Sequence, residues 1–259
     1  MTPALVLSDD TGPVRILTMN RPEARNALSS KLIGTLYAAL READDDESVR
    51  AVVLTGADPA FCAGVDLKEA QQLGSVYFEQ FQNQSCIRQT GEMRTPIIAA
   101  INGAVFTGGL EMALGCDFLI ASERAVFADT HARVGILPGG GMTARLPQLV
   151  GAAMARRLSM TGEVVDAARA EHIGLITEVV PHDQLLARAV ELASQIAEVP
   201  APIMAGLKEI YVTGSATVTD PALAAEQAIA GAQTLDRDGL KDRYAEITER
   251  NRRQIRPQP

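Results

Sequence analysis

The stretch that decides the fold is PIIAAINGAVFTGGLEMALGCDFLIA, residues 96–121. It begins with Ile97–Ile101, an apolar run whose length and β-branched content predict a buried strand. Asn102 and Gly103 end this strand, because both residue types favour turns. The stretch therefore opens with a strand and a turn, and a helix follows.

Gly108 and Gly109 begin a predicted helix over residues 110–114. The first N–H groups of a helix have no intrahelical partner, and the helix dipole favours negative charge there. Glycine lets a ligand approach this backbone closely, and Glu111 lies in the first turn. The pattern predicts a site in which a carboxylate and anion-binding N–H groups share one pocket. The alternative is structural, because an acidic residue in a first turn complements the dipole without doing chemistry.

The composition limits the classes of function. The 259 residues are 47% hydrophobic and 22% charged, as in globular proteins, and such a chain can bury a sizeable core. The formal net charge of −8 predicts no nucleic-acid partner and no binding to an anionic membrane. Residues 96–121 are long enough to span a bilayer, but Glu111, Asp117 and four glycines argue against a membrane span.

The cysteines, histidines and missing motifs exclude several kinds of site. Three cysteines without metal-like spacing predict a reduced, cytoplasmic chain, and the N-terminus lacks the features of a signal peptide. Only three histidines are present, which argues against a histidine-based metal site. There is no GxGxxG between strand and helix, and no GxxxxGKS/T, GxSxG or HExxH motif. We therefore expect neither a metal nor a cofactor.

The order of elements predicts an α/β fold followed by a helix-rich C-terminal third. Ser29 is the expected N-cap of the first helix, and the acidic residues 44–47 predict a solvated turn at the end of that helix. Pro221 suits the first position of a later helix. The predicted strands are 5–7, 14–19, 51–55, 97–101, 118–121, 125–128 and 176–180. The predicted helices are 30–43, 76–93, 110–114, 143–150, 152–160, 166–172, 184–198, 203–213, 221–235 and 240–250.

Four segments resemble a known family: NRPEARNAL at 20–28, FCAGVDLKE at 61–69, the stretch 102–117, and 166–180. In order and spacing they resemble the enoyl-CoA hydratase/isomerase family, also called the crotonase superfamily, over nearly the whole chain. The resemblance implies a spiral of ββα units with a C-terminal helical region that makes trimer contacts. We accordingly expect a ββα core over residues 1–195, a helical region over 196–259, and a homotrimer or a hexameric dimer of trimers.

The resemblance also implies how a substrate is held. In the family, an acyl-CoA thioester carbonyl accepts hydrogen bonds from two backbone N–H groups, which here fall at Val65 and Gly108. Because these donors meet charge that develops on the thioester oxygen, losing one typically costs about 3 kcal/mol. The coenzyme A thioester is thus the expected substrate rather than a cofactor.

Other residues are candidates for contacts with the coenzyme. Family members bind the adenine against a loop backbone and place basic side chains near the phosphates. The substrate-binding candidates here are Arg25, Phe61, Ala63, Gly64, Asp66, Lys68 and Gly109. Arg25 and Lys68 would face the phosphates, although single basic residues are also typical of solvated surfaces. Asp66 has the alternative role of fixing its loop through local backbone hydrogen bonds.

Glu111 falls where the hydratases of the family carry the first of two catalytic glutamates, which implies a general base toward water or a proton donor. The second family glutamate falls on His131, where the sequence departs from the pattern. A neutral imidazole can accept a proton or position water, because its unperturbed pKa is about 6.5. A single histidine in a predicted loop can equally be structural, so ordinary two-carboxylate hydration is not assured.

The sequence therefore predicts an enoyl-CoA hydratase-like enzyme that adds water to a 2-enoyl-CoA. Isomerisation of a 3-enoyl-CoA to a 2-enoyl-CoA needs only one proton shuttle and is a second possibility, as is another enolate reaction on a CoA thioester. A non-catalytic acyl-CoA-binding protein is the alternative from a different class. Glu111 argues against that alternative, because a binding protein has no need of a catalytic carboxylate.

Overall fold

The chain alternates between two sheets and the helices that cover them, in a computed structural model that describes residues 3–234 and 236–255. The strands found there are β1 (Val6–Thr11), β2 (Val14–Met19), β3 (Ala51–Gly56), β4 (Ala60–Cys62), β5 (Ile97–Ile101), β6 (Ala104–Phe106), β7 (Phe118–Ser122), β8 (Val126–Ala128), β9 (Val165–Asp166) and β10 (Glu178–Val180). The α-helices are α1 (Ser30–Asp45), α2 (Leu67–Leu73), α3 (Ser75–Asn83), α4 (Cys86–Glu92), α5 (Gly108–Gly115), α6 (His131–Val134), α7 (Met142–Val150), α8 (Ala152–Thr161), α9 (Ala167–His172), α10 (Leu185–Glu198), α11 (Ala201–Gly231) and α12 (Arg237–Ile255).

From β3 to β8, successive strands alternate between two sheets. The larger sheet has the order β1-β2-β3-β5-β7-β10, and the smaller has the order β4-β6-β8-β9. Strands β2, β3, β5, β7 and β10 are parallel, and so are β4, β6 and β8, whereas β1 and β9 pair antiparallel to their neighbours. Three passes, β3–β4, β5–β6 and β7–β8, each give one strand to each sheet and are followed by one or more helices. This repeat confirms the predicted α/β spiral of ββα units.

Strand β5 shows why the larger sheet is stable. All of its side chains are buried, as its apolar run predicts. Ile97, Ala99 and Ile101 face the core shared with α1 and α5, and Ile98 and Ala100 face the core formed with α10. A parallel strand buried on both faces needs helices on both sides of its sheet, and the ββα order supplies them.

Serine caps fix two helix starts. The Ser29 hydroxyl accepts a hydrogen bond from the N–H of Leu32 (3.2 Å), which confirms the predicted cap of α1. Ser85 does the same for α4 through the N–H of Arg88 (3.2 Å), so the single helix predicted over residues 76–93 is wrong and two helices form instead.

The prediction that Pro221 begins a helix is wrong. The two helices predicted over 203–213 and 221–235 form the single helix α11, with Pro221 inside it, and Leu235 lies outside the described residues. A proline removes one N–H donor, and the carbonyl that loses it belongs to Thr217, an exposed residue whose carbonyl water can satisfy.

The acidic residues 44–47 form the predicted solvated turn only in part, because Glu47 lies in an exposed turn but Asp44 and Asp45 belong to α1. Asp44 lies within α1 and is buried. Its carboxylate accepts hydrogen bonds from the N–H groups of Arg94 (2.9 Å) and Thr95 (2.7 Å). These bonds satisfy two donors just before β5, so Asp44 anchors the start of that strand.

Two long helices form the C-terminal helical region. Helix α11 spans 31 residues and α12 spans 19. The boundary between residues 195 and 196 stays a prediction. Among residues 3–234 and 236–255, no helix is long and apolar enough to cross a membrane.

Candidate active site

The N-terminus of α5 packs against the loop that contains Val65. Between β6 and α5, Thr107 adopts a φ of 46°, which non-glycine residues rarely do. Gly64 has a φ of 89° and lies so close to the Thr107 hydroxyl that any side chain would overlap it. A Cβ built on Gly108 would lie 4.0 Å from Cγ2 of Val65. The structure therefore brings together the two residues whose N–H groups are predicted to hold a thioester oxygen.

Glu111 projects from the first turn of α5 into the protein interior and is only 3% exposed. Its Oε1 accepts hydrogen bonds from the N–H of Gly140 (2.8 Å) and the N–H of Met142 (3.3 Å). These donors belong to the glycine-rich segment that leads into α7. One carboxylate oxygen is thus fixed by the backbone, while Oε2 points toward His131.

His131 lies at the start of the short helix α6 rather than in the predicted loop, and it is buried. Its Nε2 is 3.7 Å from Oε2 of Glu111, and its Nδ1 is 2.7 Å from Oδ1 of Asp129. The two predicted catalytic side chains therefore face each other, although they are far apart in sequence.

Burial raises the pKa of the Glu111 carboxyl group, and the charge of His131 only partly offsets this. Burial lowers the pKa of His131, but the charge of Glu111 and the hydrogen bond that the imidazole donates to Asp129 outweigh this effect, so the pKa of His131 is raised. Both shifts favour the protonated forms of the two groups. A carboxyl group and an imidazole 3.7 Å apart leave a gap between Oε2 and Nε2 that is longer than a hydrogen bond, and acid–base catalysis uses these two kinds of group.

The predicted coenzyme-binding residues have different surroundings. Arg25 and Lys68 have exposed side chains, whereas Phe61 is fully buried. The N–H of Ala63 donates to the Arg25 carbonyl (3.0 Å), which ties the two loops together. Gly109 lies against Cys62, where an added Cβ would overlap.

Asp66 has the local role that the sequence left open for it. Its Oδ1 accepts hydrogen bonds from the N–H groups of Lys68 (3.1 Å) and Glu69 (3.2 Å), which caps α2. Its Oδ2 lies 2.6 Å from Nη1 of Arg21. These bonds fix the loop that carries Gly64 and Val65.

Sequence reasoning missed Glu226 of α11, which is buried next to the same glycine-rich segment. Its carboxylate accepts hydrogen bonds from the N–H of Gly141 (2.6 Å) and from the N–H and hydroxyl of Thr143 (2.7 and 2.5 Å). Glu111 and Glu226 therefore hold alternate N–H groups of one short segment. Nothing in the sequence predicts this contact, because it depends on how α11 folds back.

Asp129 and Arg145 were also missed as parts of the site. Asp129 stands two residues before His131, a spacing that could have drawn attention to a carboxylate–imidazole pair. Arg145 donates to the Gly140 carbonyl (3.0 Å), and burial lowers the pKa of its guanidinium. Arg145 thus supports the loop that holds Glu111.

Within the described ranges, no group of three or more His, Cys, Asp or Glu side chains is arranged to hold a metal ion. A cavity of about 1190 Å³ lies between α11, α7 and the ends of α4 and α5. Neither Glu111 nor His131 lines it, so this cavity is separate from the Glu111–His131 pair.

The model of the family described as enoyl-CoA hydratase/isomerase matches residues 10–251. The chain belongs to the enoyl-CoA hydratase/isomerase family. A probable enoyl-CoA hydratase of Rhizobium meliloti is 43% identical over 204 residues, which are 77% of this chain and 79% of that protein. The mitochondrial enoyl-CoA hydratase of Pongo abelii is 38% identical over 199 residues, covering 76% and 68% of the two chains.

Among solved structures, the enoyl-CoA hydratase of Mycobacterium smegmatis is 46% identical, with a TM-score of 0.79 over 88% of this chain and 97% of that one. An enoyl-CoA hydratase/isomerase of Pseudoalteromonas atlantica is 30% identical, with a TM-score of 0.81 over 95% and 98%. These similarities confirm the predicted family and the crotonase fold. The roles of the individual site residues stay predictions.

Proposed function

We propose that this member of the enoyl-CoA hydratase/isomerase family adds water to a 2-enoyl-CoA to give a 3-hydroxyacyl-CoA. The observation that carries the proposal is the buried Glu111–His131 pair, 3.7 Å apart, beside the N-terminus of α5. Such a pair supplies one group that accepts a proton and another that donates one. Relatives that are 36–43% identical and named enoyl-CoA hydratases support the same reaction.

In the proposed reaction an O–H bond of water breaks and its proton moves to Nε2 of His131, while the oxygen bonds to C3. The electrons of the C2=C3 double bond move toward the thioester, and the N–H groups of Val65 and Gly108 stabilise the enolate oxygen. The Glu111 carboxyl group then protonates C2. The proton on His131 passes to Glu111, which restores the pair.

Isomerisation of a 3-enoyl-CoA is the second candidate, favoured by the departure from two carboxylates. A proton would leave C2 of the substrate and return at C4, so a single carboxyl group could carry it. In that reaction Glu111 would shuttle the proton alone, and His131 would only tune its pKa.

The coenzyme and the assembly complete the proposal. Arg25 and Lys68 are proposed to pair with the phosphates of coenzyme A, and their exposed side chains support this.

A homotrimer, or a dimer of trimers, would cover the apolar side chains that α11 exposes, namely Ile203, Leu207, Ile210, Tyr211, Val212, Val218 and Ile229. The three free, buried cysteines fit a reducing compartment such as the cytoplasm, and the reaction fits fatty acid metabolism.

The test is a turnover assay with purified protein and 2-enoyl-CoAs of several chain lengths. Loss of the conjugated-thioester absorbance is followed, and mass spectrometry checks that one water has been added. Glu111→Gln should reduce kcat/KM by about 10²–10⁴-fold, because it keeps the shape but removes the acid–base group.

Asp44→Asn is the matched control. Asp44 is also a buried carboxylate that accepts two backbone N–H groups, but its partners are Arg94 and Thr95 rather than the site. The Asp44→Asn variant should therefore retain hydratase activity. If no 2-enoyl-CoA is hydrated but a 3-enoyl-CoA is converted, the protein is an isomerase; if thioesters bind without either conversion, it is a binding protein.

A further inference from the structure

Asp129 makes contacts that set it apart from an ordinary buried carboxylate. It is 2% exposed and lies between β8 and α6. Its Oδ1 accepts a hydrogen bond from the N–H of His131 (3.2 Å) and lies 2.7 Å from Nδ1 of the same residue. Ser159 of α8 also hydrogen-bonds to the Asp129 side chain. The carboxylate is therefore held from two sides and directed at one imidazole nitrogen.

This geometry decides which ring nitrogen carries the proton. An ionised carboxylate can only accept, so the 2.7 Å contact requires the proton to be on Nδ1. Nε2 then has its lone pair free and faces Oε2 of Glu111 at 3.7 Å. The charged groups that raise the pKa of His131 include, besides Asp129, Glu111 of α5 and Glu226 of α11.

We propose that Asp129 is a positioning residue that keeps the His131 proton on Nδ1, so that Nε2 exchanges a proton with the Glu111 carboxyl group and the reacting water. The proposal rests on the proposed hydration, in which His131 takes up and returns one proton. Asp129 itself touches no reacting atom. Its carboxylate also stabilises the imidazolium that forms when Nε2 receives the proton.

A second Asp–His contact in the protein is arranged differently. His182 has its Nε2 3.1 Å from Oδ2 of Asp58, and its Nδ1 is 3.0 Å from Oγ of Ser122. Both ring nitrogens are therefore engaged, and Asp58 is largely exposed. The Asp58–His182 contact joins the loop between β3 and β4 to the segment before α10, and it provides a matched control for Asp129.

The first test is the tautomer of His131, read from the ring nitrogen shifts in an NMR spectrum of the wild-type protein labelled with nitrogen-15. His172→Gln and His182→Gln remove the other two histidines, so the remaining resonances assign His131. We expect the neutral ring to carry its proton on Nδ1. A proton on Nε2 in the wild-type protein would overturn the proposal, and this measurement needs neither turnover nor an Asp129 variant.

The second test is Asp129→Asn. The asparagine amide can donate to Nδ1, which moves the ring proton to Nε2 and leaves no acceptor facing Glu111. We expect kcat to fall by about 10²-fold or more, as for other wrong-tautomer variants, with KM changed by less than about threefold. The limb of the pH profile that belongs to His131 should move to lower pH, because one of the groups that raise its pKa is removed.

Asp58→Asn makes the same chemical change at the exposed pair and should leave kcat, KM and the pH profile as they are. If folded Asp129→Asn keeps the wild-type tautomer and pH profile, Asp129 is merely structural and the proposal fails. Absence of hydration by the wild-type protein would instead remove the proposed function, and the NMR result would still decide the placement of the proton.

Discussion

Gly109→Ala should disable the N-terminus of α5 through a single added methyl group. A Cβ at residue 109 would overlap the carbonyl oxygen of Cys62 and would lie 2.8 Å from the Cβ and 2.9 Å from the Sγ of that residue. Ordinary contacts begin at 3.4 Å, so the Cβ–Cβ distance alone must open by about 0.6 Å. Either β4 or the start of α5 has to move.

The movement carries Gly108 with it, because the two glycines are adjacent. Forcing a methyl group into a packed region typically costs about 1–3 kcal/mol of stability. Displacing an oxyanion donor by a large part of an ångström costs about 10²-fold in rate, close to the loss of the donor itself. We therefore expect both a less stable protein and a much lower kcat for hydration.

The assay combines urea unfolding with turnover of a 2-enoyl-CoA, and Gly206→Ala is the control. Gly206 lies inside α11, where an added Cβ meets nothing within 4 Å. The same glycine-to-alanine change there should stabilise the helix by roughly 0.5–1 kcal/mol and leave kcat unchanged.

Cys62→Ala cannot rescue Gly109→Ala, because the overlap with the Cys62 carbonyl oxygen remains. The reasoning is refuted if Gly109→Ala unfolds at the wild-type urea concentration and turns over at the wild-type rate. It is also refuted if the double variant recovers full activity, since the side chain alone would then have been the obstacle.

Two further predictions concern buried groups. Glu226→Ala leaves the N–H groups of Gly141 and Thr143 without their acceptor. The free energy of unfolding, measured by urea titration, should therefore drop by at least about 1–3 kcal/mol. An unchanged urea midpoint would contradict this contact. Burial raises the pKa of the Cys62 thiol to about 12 and raises those of Cys86 and Cys116, so a thiol reagent should label none of the three until urea unfolds the chain.

The sequence correctly predicted those features of the fold that depend on residues close together in the chain. The apolar run Ile97–Ile101 is a strand, Ser29 caps α1, and Glu111 stands in the first turn of α5, because a few neighbouring residues determine each of these features. Pro221 shows the limit of this approach. A proline suits the start of a helix, but the chain tolerates it within α11 because the freed carbonyl can meet water.

The pairing at the site could not be read from local patterns. The resemblance to a family identified Glu111 and His131 as candidates, but their mutual distance depends on how β6 and β8 lie side by side. The carboxylate of Glu226 comes from a helix that follows the whole spiral, and no residue near it in sequence points to the site. Such contacts arise from tertiary packing, which periodicity does not encode.

The alternating hydrogen bonds along residues 140–143 determine whether the ββα spiral and the C-terminal helices can be separated or exchanged. Glu111 holds Gly140 and Met142, whereas Glu226 holds Gly141 and Thr143, so one short segment is clamped between the spiral and α11. A fragment cut at the predicted boundary after residue 195 would keep every catalytic candidate and still lose half of that clamp. Chimeras that exchange C-terminal regions between relatives should therefore work only when the incoming helix brings its own acceptor for those two N–H groups.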